Sequence, residues 1–267
     1  MGMHWYSKSG SPAYTMVGAN GKERDVTLRD ARKFGHCPSV TTVLEVLAKP
    51  QLEVWKVRQG ILAALTLGRN EGESDDDYLN RVLADSREQA KAAAEEGTRI
   101  HDAIECSFKG HRIPDGYRDH VEATRQKIAD MFPHVSDWIA EESFAHPAGY
   151  GGKVDLYSPS TGIVIDYKGK DGDFTDGKKL AYDQHYQLAA YQFGLYLPAA
   201  ECVNLFVSRT HPGKVADHIW SVEEIEEGAQ VFKHALNLWK SIKKYDAAFL
   251  CESHALYQTR ALEVAGG

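Results

Sequence analysis

The spacing of apolar positions along this chain changes twice, and each change marks a different kind of structure. Residues 3–30 alternate apolar and polar, and Asn20-Gly21 lies among polar neighbours, which predicts a hairpin. From Pro38 the period lengthens to that of a helix. Ser39 or Thr42 is placed to cap it, with Glu45 three residues after Thr42 as in a capping box, and the pattern continues to about Leu67. Helical spacing returns from about Asp76 to Phe108, where Ala and Glu are frequent, and again from Asp119 to Met131. Between Trp138 and Lys168 the pattern is that of strands. A helix from about Leu180 to Leu197 follows, then a strand from Cys202 to Arg209 and another around His218 to Trp220. Ser221, with Glu224 three residues on, predicts the start of a last helix running from Val222 to about Phe249. The tail after Ala261 has little to order it. Helices, then antiparallel strands, then a helix and further strands predict an α/β fold with a central mixed β-sheet flanked by helices. One domain is expected over residues 1–260, with a hairpin region at 1–37, a helical region at 38–137, a sheet and helix at 138–220 and a C-terminal helix at 221–250.

The strand-rich stretch carries the chemistry. Gly151-Gly152-Lys153-Val154-Asp155-Leu156-Tyr157 and Gly162-Ile163-Val164-Ile165-Asp166-Tyr167-Lys168 both favour strands, and Ser158-Pro159-Ser160-Thr161 between them is turn chemistry. Facing residues of an antiparallel pair have a constant index sum. A turn centred near Pro159 to Thr161 therefore puts Asp155 opposite Asp166, or within about two residues of it. Facing Cβ atoms lie roughly 4.5–5.5 Å apart, and like charges at that distance are destabilising. Positive charge is needed there. Lys168, two residues after Asp166 on the same strand face, supplies some of it, and a divalent cation would supply the rest.

Bulk composition narrows the classes. The 267 residues have ordinary globular apolar content and a formal net charge of −7, which argues against a protein that coats nucleic acid by charge alone. Lys49/Lys56/Arg58, Lys168/Lys170/Lys178/Lys179 and Lys240/Lys243/Lys244 are local basic groups, while Glu71 to Asp77 is an acidic loop or first helical turn. No apolar run approaches the roughly 20 residues of a membrane span, and the N-terminus lacks a signal-peptide apolar region. Cys37, Cys106, Cys202 and Cys251 are scattered, which fits reduced thiols and a cytoplasmic protein without a membrane partner.

Three further segments bear on the paired carboxylates. On a helix, His101 and Glu105 are one turn apart and share a face, and Gly97, one turn earlier, would let that face approach another backbone. Gln184, Gln187, Leu188 and Tyr191 fall on one helical stripe, where a buried amide needs partners. Of Glu141 and Glu142 one should face the functional side, and Glu142 is carried as the candidate.

Asp155 followed by Asp166-Tyr167-Lys168 resembles the D…(D/E)-x-K signature of the PD-(D/E)XK nuclease superfamily. Gly97-Thr98-Arg99-Ile100-His101-Asp102-Ala103-Ile104-Glu105 resembles the histidine motif of its RecB-like branch, and Gln187-Leu188-Ala189-Ala190-Tyr191 that branch's Q-x-x-x-Y motif. Pro38-Ser39-Val40-Thr41 with Trp55-Lys56 is similar to the start of the mitochondrial genome maintenance exonuclease and related phage exonucleases. The likeness runs in order from about Pro38 to Trp239.

The resemblance implies a restriction-endonuclease-like core with an N-terminal helical insert, and a metal-dependent DNA exonuclease preferring single strands or DNA ends. It further implies Mg²⁺ or Mn²⁺ held by Asp155, Asp166, His101 and the Tyr167 carbonyl. Lys168 would orient water and stabilise developing charge, Gln187 would position Lys168 or the phosphate, and Tyr191 would pack behind it. Glu105, Glu142, Gln184, Lys170 and Arg99 are candidates for supporting or DNA-contacting roles, and Trp55, Tyr182 and Tyr186 for base stacking. The helical insert would lie over the site as an arch. Replication, recombination or repair is the implied setting, in a bacterial or phage-infected cell, with recombination or single-strand-binding proteins as candidate partners. Some RecB-like relatives bind an iron–sulfur cluster through three cysteines clustered near the C-terminus. Here only Cys251 follows Cys202, so no such cluster is expected. The alternatives are a double-strand end-resecting exonuclease or structure-specific endonuclease of the same superfamily, and a non-catalytic DNA-binding recombination accessory protein.

Overall fold

In the computed structural model, residues 3–249 are described. The expected tail after Ala261, and Cys251, lie outside them. The N-terminal region is built of short pieces. Strands β1 (Trp5–Tyr6), β2 (Thr15–Val17) and β3 (Glu23–Asp25) precede helix α1 (Leu28–Phe34) and strand β4 (Cys37–Pro38). β2 and β3 pair as the hairpin predicted around Asn20-Gly21, with Gly21 at φ 74, and β1 pairs with β4.

The helix predicted from Ser39 to Leu67 is two helices, α2 (Val40–Leu44) and α3 (Pro50–Thr66). Pro50 can sit at the first position of a helix but not inside one, so a new helix starts there. Ser39 caps α2 by accepting from the Thr42 N–H at 3.0 Å, whereas Glu45 sits at the helix's C-terminal end and forms no capping box. The acidic run ends in the first turn of α4 (Asp75–Phe108), where Ser74 is the N-cap and Asp75 to Asp77 meet the positive end of the helix dipole. Tyr78 ties α4 to α3 by donating to the carbonyls of Ala64 (2.8 Å) and Leu67 (3.1 Å). α5 (Arg118–Met131) completes the helical region.

Strands β5 (Ile139–His146), β6 (Tyr150–Tyr157) and β7 (Val164–Lys170) are followed by α6 (His185–Gly194), β8 (Cys202–Ser208), β9 (Val215–Trp220) and α7 (Val222–Lys243). α6 and α7 are each shorter than their sequence patterns, while Ser221 and Glu224 form the expected capping box. The five strands lie in the order β5-β6-β7-β8-β9, antiparallel except for the parallel β7–β8 pair, which α6 connects. This is a mixed α/β architecture with helices on both faces. One core joins Val164 and Phe206 to α6, α7, α2 and the N-terminal Trp5; the other joins Ile165, Tyr167 and Leu205 to Ile100 and Ile104 of α4 and Ile128 of α5.

Two irregularities shape the sheet where it matters. β6 and β7 pair only at Leu156↔Ile165 and Tyr157↔Val164, although β6 stays paired to β5 and β7 to β8 along nearly their whole lengths. The sheet therefore forks between β6 and β7 just beyond that short ladder. In β5, Ala140 packs into the α4/α5 core and Phe144 into the opposite one, although a regular strand would put both on one face. The change of face falls at Glu141, whose φ of 61 is unusual for a non-glycine residue.

Phe144 sets the distance between β5 and α6. Its ring meets Tyr191 edge-on at 6.2 Å, and a Cβ on Gly194 would lie 2.1 Å from its Cε2. We expect Gly194→Ala to destabilise the protein by about 1–3 kcal/mol through overpacking, read as a lower urea midpoint; an unchanged midpoint would show that the ring has somewhere else to go.

Candidate active site

The fork in the sheet brings the paired carboxylates together. The ladder's constant index sum, continued by one step, sets Asp155 opposite Asp166. No strand pairing is formed at that step. Instead the Tyr167 N–H donates to Asp155 Oδ2 at 2.8 Å, so a side chain replaces the missing ladder bond. The turn that fixes this register is held from outside: Asp137 accepts from the Ser158 hydroxyl (2.6 Å) and the Ser160 N–H (2.9 Å), and Gly162 turns the chain at φ 79.

Asp166 is buried, and donors from three elements surround its carboxylate. Lys168 Nζ is 3.0 Å from Oδ1 and 2.8 Å from Oδ2, Gln187 Nε2 donates to Oδ1 at 2.9 Å, and Asn204 Nδ2 donates to Oδ2 at 2.8 Å. Lys168 also donates to Gln187 Oε1 at 3.1 Å, which closes a triangle of Asp166, Lys168 and Gln187. Tyr191 OH accepts from Gln187 Nε2 at 2.8 Å, one turn further along α6, as the helical stripe predicted. Asn204 is oriented in turn by Trp220, whose Nε1 donates to Asn204 Oδ1 at 2.8 Å.

Asn204 and Trp220 were not singled out in the sequence. In a strand whose every residue is buried, a lone Asn was the available signal, since a buried amide needs partners.

Asp155 is held less well. Besides the Tyr167 N–H its near neighbour is His101 Nδ1, 3.6 Å from Oδ2 and too far for a hydrogen bond. Burial, with the charge of Asp166 added, pushes the Asp155 carboxyl up to about 7. Burial also lowers the His101 pKa and so favours a neutral imidazole, whose ring meets that of Tyr167 edge-on at 5.6 Å. For Lys168 burial works against the charge, but Asp166 and Asp155 outweigh it and hold its pKa above the usual value.

The remaining candidates divide. Glu141, not Glu142, turns toward this centre: its side chain is almost covered, pairs with Lys153 and lies near enough to Asp155 to feel its charge. Glu142 is exposed, because the change of face at Glu141 sends the next side chain outward. The constant sum of the β5–β6 register sets Glu141 opposite Asp155, so Glu141, Asp155 and Asp166 form a row across three neighbouring strands. Glu105 pairs with Lys109 at 2.6 Å and adds to the negative field at Glu141. Arg99 is turned away, onto Glu96 (2.7 Å) and Tyr117 (3.1 Å), both in the helical region. Gln184 stands at the start of α6 and accepts from the Tyr182 N–H at 2.7 Å. The Lys170 pKa is lowered, first by burial and then by Arg209 and Lys168. The close approach expected of Gly97 is real but is made at its partner, since a Cβ on Gly169 would lie 3.3 Å from the Gly97 Cα while one on Gly97 meets nothing.

The donor chemistry here, carboxylates with one neutral imidazole, suits a hard divalent cation. Among the described residues no three His, Cys, Asp or Glu side chains converge at metal-ligating spacing. Lys168 lies against the better-held carboxylate instead. The fit is one of charge and donor type: a second cation beside Asp155 would relieve the repulsion that raises its pKa.

No family model matches the sequence, and neither does a curated protein. Among solved structures, the chain is similar to SSO0001 (11% identity, 68% of this chain and 86% of that one, TM-score 0.29). A phage-related exonuclease from Haemophilus somnus 129PT is another (16% identity, 65% and 90%, TM-score 0.28). A third is the alkaline exonuclease LHK-Exo from Laribacter hongkongensis (16% identity, 55% and 82%, TM-score 0.28). Superpositions this loose leave the site's own geometry as the ground for its function.

The raised Asp155 pKa has a measurable consequence. A carboxyl whose folded pKa lies above its unfolded value contributes stability below the unfolded value, and that contribution is lost as pH rises through the folded one. In chelator, the protein should therefore lose stability between pH 4 and about 7 in a step that Asp155→Asn removes. Urea titrations across that range check it; identical profiles for the two proteins would contradict the assignment.

Proposed function

We propose that this protein hydrolyses phosphodiester bonds in DNA, acting with Mg²⁺ or Mn²⁺ as an exonuclease of the PD-(D/E)XK, RecB-like type. The observation that carries this reading is the triangle of Asp166, Lys168 and Gln187 set beside Asp155 at the fork of the sheet. A purely structural role explains it poorly. A buried carboxylate facing a largely covered one costs stability, and packing alone would favour replacing one of them.

Each residue then has a task. Asp155, Asp166, His101 and the Tyr167 carbonyl would hold the cation. When bound, the metal neutralises phosphate charge and makes water a better nucleophile. Lys168, held protonated by its carboxylate neighbours, donates to a phosphate oxygen rather than accepting a proton. Gln187 fixes the Lys168 ammonium, and Tyr191 fixes Gln187. Burial lowers the His101 pKa and keeps its imidazole neutral, the form in which a ring nitrogen can ligate a cation. Asn204 and Trp220 position Asp166 from behind. In this reading the helical insert between Pro38 and Met131 would lie over the site, and single strands or strand ends are the substrate such an arrangement would admit.

The test is cleavage of end-labelled single- and double-stranded DNA with Mg²⁺ or Mn²⁺. Lys168→Ala and Asp166→Ala should each lower turnover by about 10²–10³-fold, as the loss of an electrostatic stabiliser does. Absence of metal-dependent cleavage, or cleavage by the variants at the wild-type rate, would overturn the reading. Closed circular DNA separates an endonuclease from an exonuclease. Cation binding has its own readout: the rise in Tm with Mn²⁺ should be larger at pH 8 than at pH 6, where protons compete for Asp155, and smaller in Asp155→Asn.

A further inference from the structure

Beside Lys168 and Gln187 lies an open pocket of about 350 Å³. Its walls come from parts of the chain far apart in sequence: α2 and the segment after it, the start of α3, and the start of α6. Small-molecule sites span roughly 300–1,000 Å³, so this one has room for a single nucleoside and not for a run of strand. The lining pairs two rings, Tyr186 and a His4 stacked on Tyr14, with the Thr41 hydroxyl, the Gln184 amide and three charged groups, Glu45, Lys49 and Asp183. Among the described residues none of those three charges is in an ion pair.

The sign of the charge is informative. The Lys168 ammonium at the cavity's edge is balanced by Asp166, so beyond that pair the lining sets Lys49 against Glu45 and Asp183. A terminal phosphate, with a charge of about −1.5 to −2, would meet a net repulsion there. A nucleoside would not. Its base can stack on Tyr186, and its amino and hydroxyl groups find acceptors in the two carboxylates and Thr41. The scissile phosphate would then fall next to Lys168 and Gln187, one nucleoside in from the end.

We propose that this cavity receives the terminal nucleoside of the strand being cut, and that Glu45 and Asp183 make it select a hydroxyl end over a phosphorylated one. The inference rests on the phosphodiesterase reading and adds to it what fixes the register of the cut and which kind of end is admitted.

The experiment uses single-stranded oligonucleotides with an internal label and the four combinations of hydroxyl or phosphate at the 5′ and 3′ ends, cut by the full-length protein with Mn²⁺. A phosphate at one of the two ends should slow release from that end by about tenfold or more. In the Glu45→Gln/Asp183→Asn variant the ratio between hydroxyl and phosphate ends should approach one. Tyr186→Ala should raise KM for the hydroxyl end more than it lowers kcat. As a check independent of catalysis, deoxyadenosine should compete better than the one of its two monophosphates whose phosphate falls at the terminal position, while the other, whose phosphate falls at Lys168 and Gln187, should not be weakened. Cleavage that ignores the end group, or is faster with a phosphate, overturns the assignment of the cavity and leaves the phosphodiesterase reading standing. So does an end preference unchanged in the double variant. Absence of metal-dependent cleavage of any of the substrates overturns both.

Discussion

Two carboxylates side by side, one buried and one largely covered, repel each other, and much of the structure around β6 and β7 is arranged to make that tolerable. The answer is unequal. Asp166 receives donors from its own strand, from α6 and from β8, and so is held in a fixed orientation. Asp155 receives one backbone N–H and faces an imidazole at 3.6 Å. In a buried pair the less supported member takes the proton or the cation, which makes Asp155 the adjustable half of the site and Asp166 its fixed half.

That division depends on the sheet forking where it does. If β6 and β7 paired beyond Leu156↔Ile165, the Tyr167 N–H would be spent on the ladder and Asp155 would lose its one hydrogen bond. Opening the sheet leaves a gap that both helical layers can reach: His101 enters from α4 on one side and Gln187 from α6 on the other. The position of α6 is set by Phe144, fitted against Gly152, Gly194 and Tyr191. The change of face at Glu141 belongs to the same design, because it brings a third carboxylate to the row while sending Glu142 outward.

What the sequence made legible was local. Alternation and turn chemistry placed Asp155 opposite Asp166, and helical spacing put Gln187 and Tyr191 on one stripe, where they do hydrogen-bond. The same logic failed where a long-range contact decides. Nothing near Asn204 in sequence announces that it will meet Asp166 and Trp220, since those contacts exist only once β7, β8 and β9 lie together. Which of Glu141 and Glu142 faces the site was open in the sequence, with Glu142 named as the candidate, because a single residue at positive φ decides it. The helix break before Pro50 was readable from proline's own constraints, but the surrounding apolar spacing concealed it.

The Lys168–Asp166 ion pair bears on whether this site is poised or merely self-satisfied. A lysine wholly consumed by a carboxylate would have nothing to offer a substrate. An ammonium has three protons, however, and the contacts here account for two: one shared between the two oxygens of Asp166, one given to Gln187 Oε1. The third is left without an acceptor in these contacts, and its direction is set because the other two are fixed. Nor need Asp166 lose its support when it turns an oxygen lone pair to a cation, since Asn204 and Gln187 donate to it independently of Lys168. A triangle that holds the lysine in place while leaving one donor unspent has the preorganisation that stabilising a developing negative charge requires.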